Sequence, residues 1–386
     1  MSRPGGYSIA SYGRMVACEP RMGVYAEALR RTVTPGCTVI DLGASFGVFA
    51  LLACQYGAGH VIAIEPDPSI EVLVPLAKAN GCADRITIIR DISTNFVPDR
   101  KADVIVSDCR GTVPLFQHHI ATLADARARL LAPGGTLLPM RDTLKIALAQ
   151  SPPKHRAAVR PWQRNAYGLD LAAGARFAAN TMDKVYLKPR ALVSAAEELA
   201  VLDYRTITEP NVDNRVTMVA ARAGRVDGIL VWFEAEIAEG LGYSNAPGQP
   251  PLVYGQMFLP LEGNPRLAVG ARIDLRFRAT LVNGEYIWNW DWQAFDAAGQ
   301  PQGALMRQSS FLSQIHSPKA LATVSKHQIP VLGTAMMLDR DCLALVGEGR
   351  TLDAIARTLQ ERHPEHLPSY KAALDHAAKC LGRYST

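Results

Sequence analysis

Between residues 38 and 145 short apolar runs alternate with longer helix-like stretches. Residues 38–42 (TVIDL) form a β-branched run closed by a glycine, and 46–56 (FGVFALLACQY) have helical length and composition. Residues 61–65 (VIAIE) predict the next strand. A helix is expected over 68–80, with Asp67 as its N-cap and Pro68 at its first position, where the missing N–H has no partner to lose. Residues 86–89 (ITII) and 104–107 (VIVS) predict further strands, and 117–131 predict a helix stopped by Pro133-Gly134-Gly135. Such alternation predicts a parallel sheet with helices on both faces. After residue 150 the rhythm changes. Residues 199–206, 215–221, 227–237, 272–280 and 286–295 read as strands with no helices between them, some separated by clusters such as 242–251 (GYSNAPGQPP). They predict an antiparallel sheet or a barrel. From about Ser317 the spacing turns helical again, over 353–362 and 369–381. Three domains are expected, at 1–148, 149–314 and 315–386.

The length of 386 residues agrees with more than one core. The formal charge of +5 is mild and no dense Lys/Arg block occurs, so no specific nucleic-acid partner is expected. None of the seven cysteines forms a C-x-x-C pair, which argues against a zinc site or a disulfide framework and for a reducing, cytoplasmic setting. No apolar run reaches the roughly 18 residues of a membrane span, and the first residues lack a signal-length apolar stretch.

The candidate chemistry begins where the first strand ends, at Asp41-Leu42-Gly43-Ala44-Ser45-Phe46-Gly47. A glycine-containing turn at the carboxyl end of a parallel strand lets the backbone approach a ligand. Glu65 ends the second strand, about 20 residues on, where an acidic residue accepts the hydroxyls of an adenosine ribose. The alternative is a tight strand–helix turn with no ligand.

The stretch VIDLGASFGVFALLACQYGAGHVIAIEPD resembles the cofactor region of class I methyltransferases that use S-adenosylmethionine (SAM). With ADRITIIRD, KADVIVSDCRG and LLAPGGTLLP it resembles the protein arginine methyltransferases in particular. Residues 162–171 (WQRNAYGLDL) are similar to the start of that family's dimerisation arm. The resemblance runs from about residue 12 to about 295. It implies a Rossmann-like SAM-binding domain over 1–148, a β-barrel-like substrate domain over 149–314 with an arm at about 160–190, and a homodimer. It further implies that Asp41, Gly43 and Gly47 shape the SAM pocket, that Glu65 holds the ribose, and that Ser93 and Thr94 lie near the adenine. Met15 would pack near the sulfonium. Arg21 would pair with the methionyl carboxylate, or else be an exposed helix arginine.

The family clamps its guanidinium acceptor between two glutamates on the loop that here reads Ser107-Asp108-Cys109-Arg110-Gly111-Thr112-Val113-Pro114-Leu115-Phe116-Gln117. Asp108 stands at the first glutamate and Gln117 at the second, and a neutral amide cannot make the second ion-pair contact. The family's barrel His and its helix Asp are missing together: 251–256 (PLVYGQ) holds no His, and Cys18 stands at the helix position. An acceptor other than arginine is therefore expected. Asp108 would orient that acceptor or take its proton, or else cap a turn. His118 and His119 are possible bases or packing residues. Trp288, Trp290 and Trp292 share one strand face, as cleft or core. Cys109 has no paired His to make it a nucleophile. Residues 336–381 resemble the helical part of the PQQ-biosynthesis D family, leader-peptide-binding winged-helix modules, or form a helical cap. The expected function is SAM-dependent N-methylation of a peptide or protein side chain, with a ribosomal precursor peptide as one candidate. The alternatives are a small-metabolite methyltransferase and a non-catalytic SAM-binding scaffold dimer.

Overall fold

The computed structural model describes residues 8–150, 153–314, 327, 329 and 331–384. The chain forms two compact units, Met1–Gln314 and Ile315–Thr386. The first opens with two helices, α1 (Ile9–Val16), capped by the Ser8 hydroxyl, and α2 (Glu19–Thr32). Glu19 in the first turn of α2 and Arg30 and Arg31 in its last turn oppose the ends of the helix dipole.

Five strands follow, β1 (Thr38–Leu42), β2 (His60–Ile64), β3 (Ile86–Ile89), β4 (Ala102–Ser107) and β5 (Leu131–Leu138). They pair in the order β3-β2-β1-β4-β5, all parallel. Every residue of β1 is buried, as a strand covered on both faces requires. Helices α3 (Val48–Gln55), α4 (Leu73–Ala79) and α5 (His119–Arg129) make the crossovers. The helix expected over 68–80 divides into a 3-10 turn, Pro68–Val72, and α4. Pro75 explains the division, because proline is tolerated only in a helix's first turn. The helix expected from 117 starts at His119, since Gln117 is left-handed at φ 43°. Pro133-Gly134-Gly135 lie inside β5 rather than ending a helix.

Strand β6 (Arg141–Ala149) leaves the parallel sheet. It pairs antiparallel with Gly228–Ala238 on one side and Glu197–Asp203 on the other. Pairing thus passes to the second sheet at Arg141, ahead of the boundary expected at 148. Asp183–Val185 and Gln256–Pro260 extend this sheet. A further antiparallel sheet orders Pro301–Ser309, Glu285–Phe295, Arg272–Val282 and Val212–Val219. Its inner face alternates: Tyr286, Trp288, Trp290, Trp292 and Ala294 are buried against Ile273, Leu275, Phe277 and Ala279 of the neighbouring strand. The three tryptophans are core, and the indoles of Trp290 and Trp292 donate to Pro260 O and Gln308 Oε1.

Between β6 and Glu197–Asp203 runs the segment expected to be an arm. It holds the helices Pro153–Gln163 and Ala172–Ala178, and exposes Trp162, Tyr167, Leu169, Phe177 and Tyr186. The second unit has helices Thr334–Gly347, Leu352–Arg362 and Tyr370–Tyr384 around their own core of Leu338, Cys342, Leu345, Ile355, Leu359 and Cys380. Its described residues include no strand; the expected domain start at 315 lies outside them. Among the described residues no helix is long and apolar enough to cross a membrane.

Candidate functional site

A cavity of about 530 Å³ opens over the carboxyl ends of β1, β2 and β4, with α1 and α2 along one side. Its floor is the turn after β1. Gly43 and Gly47 both have φ 72° and Ser45 φ 54°, so the chain reverses within five residues before α3 begins. A Cβ at Gly43 would strike the Cys109 sulfur, and one at Gly47 would lie 2.5 Å from the Leu73 methyls. Asp41 is buried beneath the turn. Its Oδ2 accepts the Ala50 N–H at 2.9 Å, and its Oδ1 has no hydrogen-bond partner. Burial, opposed by that bond and assisted by nearby Glu65, pushes the Asp41 carboxyl up to about 7.

Glu65 follows β2. Its two oxygens each accept one backbone N–H, from Ser45 at 3.0 Å and Asp67 at 2.9 Å. A carboxylate offers about four lone-pair sites, so each oxygen keeps one for a ligand. Tyr12 of α1 lies against Phe46 with ring centroids 4.3 Å apart, and both line the cavity with Met15.

The other end of the cavity is a buried polar network. Asp108 Oδ2 accepts from Arg21 Nε at 2.5 Å and from the Tyr254 hydroxyl at 2.5 Å, and Oδ1 accepts from Arg110 Nη1 at 3.0 Å. Burial alone would raise the Asp108 carboxyl, but Arg21, Arg110 and Tyr254 together outweigh it and hold the group below the usual carboxylate range. Arg110 grips Asp142 with two bonds, Nε to Oδ2 at 2.7 Å and Nη2 to Oδ1 at 3.0 Å. Its Nη1 also donates to the hydroxyls of Tyr25, at 2.7 Å, and Tyr243, at 3.2 Å. Asp142 Oδ2 further accepts the Tyr204 hydroxyl at 2.5 Å. Two guanidiniums and two carboxylates thus close on each other and sum to zero charge.

The family model described as ribosomal protein L11 methyltransferase (PrmA) matches residues 24–139. An "Arginine N(omega)-methyltransferase" of Streptomyces achromogenes subsp. streptozoticus is 30% identical over 264 residues, covering 64% of this chain and 70% of that protein. The chain belongs to the arginine methyltransferase family. A second relative, the probable protein arginine N-methyltransferase 6 of Arabidopsis thaliana, is 24% identical over 239 residues. The match covers 60% of this chain and 55% of that one, so the chain spans little more than half that relative's length. Among solved structures, the Trypanosoma brucei PRMT1 enzyme-prozyme heterotetrameric complex with AdoHcy superposes with a TM-score of 0.71 at 21% identity. It covers 77% of this chain and 97% of its own. The protein arginine methyltransferase 10 of Arabidopsis thaliana gives a TM-score of 0.68 at 19% identity, over 78% of this chain and 98% of that one. These likenesses concern the fold.

In this arginine methyltransferase family member, Met15, Arg21, Gly43, Glu65, Asp108 and Gln117 line one cavity. Asp41 and Gly47 sit behind it. Ser93 and Thr94 do not line it: they lie in the 3-10 turn Ser93–Asn95, which Arg129 of α5 ties down through Ser93 O and Phe96 O, with Thr94 exposed. Arg21 is a buried network member, not an exposed helix arginine. Asp108 is not a free carboxylate; three donors hold it, two on Oδ2 and one on Oδ1, and its lowered pKa makes it a poor proton acceptor. His119 is buried outside the cavity, against the Tyr204 hydroxyl at 3.1 Å. Burial first and Arg110 second push it down to about 3, so it stays neutral and is no general base. His118 packs beside Gly284, away from the cavity. Burial pushes the Cys109 thiol up to about 11, so it is no nucleophile.

Arg110, Asp142, Tyr243 and Tyr254 were not singled out by the sequence. One of them carried a signal. Asp142 alternates with Leu144, Ile146 and Leu148 on the buried face of β6. An acidic residue in that register demands a buried cationic partner.

Proposed function

We propose that this chain transfers a methyl group from SAM to a nitrogen on a peptide or protein side chain other than the arginine guanidinium. The observation that carries the cofactor assignment is Glu65: a half-satisfied carboxylate at the edge of the left-handed Gly43–Ser45 turn. Its two remaining lone pairs suit the two ribose hydroxyls. Met15 and the Tyr12–Phe46 pair would cover the sulfonium end and exclude water. Arg21 Nη2, which makes none of the bonds that hold the rest of this side chain, would meet the methionyl carboxylate. With Ser93 and Thr94 outside the cavity, we assign them no adenine contact.

When bound, SAM would supply an electrophilic methyl carbon to the acceptor lone pair, the sulfur keeping the bonding pair and the methylated nitrogen releasing its surplus proton to water. The protein's part is to hold that lone pair on line, where positioning supplies much of the acceleration. Gln117 and Tyr254 line the acceptor end; the Tyr254 hydroxyl is taken up by Asp108, Arg21 and Tyr243, so the Gln117 amide would orient the incoming group. Asp108 acts one step back, by fixing Arg21, Arg110 and Tyr254. Among peptide acceptors, a ribosomal precursor peptide agrees with the resemblance of residues 336–381 to leader-binding modules. A small-molecule acceptor is the second reading, favoured by the Streptomyces relative, whose name specifies arginine and no protein. The seven free thiols suit a reducing cytoplasm.

Calorimetric titration with S-adenosylhomocysteine tests the cofactor reading. Glu65→Ala removes two hydrogen bonds to a charged acceptor and should cost roughly 3–6 kcal/mol, at about 1.5–3 kcal/mol each. Unchanged affinity in that variant would refute the assignment.

A further inference from the structure

The charges of the buried network cancel, but one further cation lines the cavity without a counter-charge. Lys184, in the strand Asp183–Val185, is exposed and lines the cavity together with Gln117, Val253 and Tyr254, so it stands at the mouth on the acceptor side. Its Nζ donates to Val253 O, which also accepts the Tyr186 hydroxyl at 3.4 Å, and lies 6.0 Å from the centre of the Tyr186 ring. An ammonium has three N–H donors, so two remain for a ligand. Among the described residues Lys184 forms no ion pair. The charged group that acts on it is another cation, Arg14 of α1, whose own hydrogen bond goes to Ser11 Oγ at 2.9 Å.

A surface lysine ordinarily swings freely on its four-carbon stem. This one is tied at its tip to a backbone carbonyl one residue before Tyr254, with its stem along the cavity wall. Burial first and Arg14 second push its ammonium below the usual lysine range. Both effects penalise the charged form, and an arriving carboxylate would offset both. A carbonyl oxygen could accept one of the two remaining N–H groups but would cancel no charge, and charge-assisted bonds are roughly twice as strong as neutral ones. A cationic group at the same place would meet Lys184 and Arg14 with no counter-charge between them.

We infer that Lys184 is a specificity-determining residue and that the methyl acceptor carries a carboxylate, which the Lys184 ammonium holds at the mouth while the reacting nitrogen enters toward Gln117. The carboxylate is either the terminal group of a small acid or the side chain of an acidic residue beside the acceptor residue in a peptide. The inference rests on the methyltransferase reading in treating the Gln117 and Tyr254 end of the cavity as the acceptor subsite.

The test titrates matched probes into the full-length protein by calorimetry, with and without S-adenosylhomocysteine. For each amino acid with a side-chain nitrogen (Lys, Arg, His, Asn, Gln and Trp) one pair compares the N-acetyl amino acid with its methylamide. A second pair compares the N-acetyl dipeptide amide in which Glu follows with the one in which Gln follows. The wild type should bind the carboxylate member of at least one pair about tenfold more tightly than its neutral partner. Preference in the first pair alone assigns a terminal carboxylate, and preference in the second assigns an acidic neighbour in a peptide. Lys184→Met keeps the apolar stem and removes the charge, and should abolish the preference; Lys184→Arg should retain it. Lys184 is exposed, so neither substitution disturbs the core. Equal binding within every pair, including none at all, overturns the inference. So does a preference for the neutral members, one that survives in Lys184→Met, or one that is lost in Lys184→Arg as well. A fall in S-adenosylhomocysteine affinity in Lys184→Met, with no carboxylate preference in the wild type, would assign the ammonium to the cofactor instead and also overturn it. The readings beneath it fail separately. S-adenosylhomocysteine that does not bind the wild type would sink the cofactor reading, while the probe order read without it still decides this inference. A response carried by the arginine probes would change the acceptor nitrogen and leave the role of Lys184 standing.

Discussion

Asp41 carries a titratable group in an apolar setting, with one oxygen unpaired. Its carboxyl titrates near 3.8 in an unfolded chain and near 7 in the fold, so between those values the folded protein keeps a proton that the unfolded chain has lost. The stabilisation from that proton is complete below about pH 4 and is lost as pH rises through about 7. Asp41→Asn cannot ionise and keeps an acceptor for the Ala50 N–H. Its unfolding free energy should vary less with pH between about 4 and 7 than that of the wild type. The gap should open toward at most about 4 kcal/mol above pH 7, at about 1.36 kcal/mol for each tenfold change in the acidity constant. Parallel pH profiles from chemical denaturation would contradict this. The Arg110–Asp142 pair gives a second expectation at this scale. Asp142→Ala leaves a fully buried guanidinium short of its fork partner and should cost about 3–5 kcal/mol in urea unfolding. A loss below about 1 kcal/mol would mean that the tyrosine hydroxyls and Asp108 satisfy Arg110 unaided.

Among the elements, the turn from β1 to α3 is the most constrained. Gly43 meets two separate requirements there, a left-handed φ of 72° and room for the Cys109 sulfur. Gly43→Ala should therefore destabilise the protein twice over. Adding Cys109→Ala should return the steric part and leave the backbone part, about 1–2 kcal/mol. Thermal or urea unfolding of the two variants separates the two contributions, and no recovery in the double variant would show that the sulfur is not the obstacle. This turn was legible in the sequence, because a buried parallel strand is a continuous apolar run and its glycines mark where the chain must reverse. The parallel strands were legible for the same reason. The transfer of β6 to the antiparallel sheet was not, since alternation along a strand says which face is buried but not which neighbour it pairs with. The acceptor network was least legible of all. Tyr25 comes from α2, Arg110 from the loop after β4, Asp142 from β6, and Tyr243 and Tyr254 from the segment after Gly228–Ala238. No local pattern joins residues that only the tertiary fold brings together. The 251–256 stretch shows the point: read as lacking a histidine, it supplies Tyr254, which reaches Asp108 from the same place.

Across the whole molecule, what the first unit leaves uncovered carries the remaining expectation. Between β6 and Glu197–Asp203 the chain places two helices in a segment that exposes Tyr167 at 84% and Phe177 at 45%. The segment is ordered within itself. The Trp162 ring lies against Gly174, where any side chain would collide with it, and Asn165 bonds the backbone of Tyr167 and Leu169. An ordered element that keeps its aromatic side chains in water carries a solvation cost which a second copy of the chain would relieve. Stable association of this kind buries about 800 Å² per partner, and we expect the arm to supply the centre of that area in a homodimer. In light scattering at micromolar concentration the wild type should then show twice the mass of one chain. Tyr167→Asp/Phe177→Asp places two carboxylates in the centre of the contact. It should shift the protein to a monomer while the unfolding transition of the first unit persists, because neither side chain belongs to the core. A wild type already monomeric at that concentration would remove the arm from any role in assembly. A double variant that stays dimeric would move the interface elsewhere on the first unit.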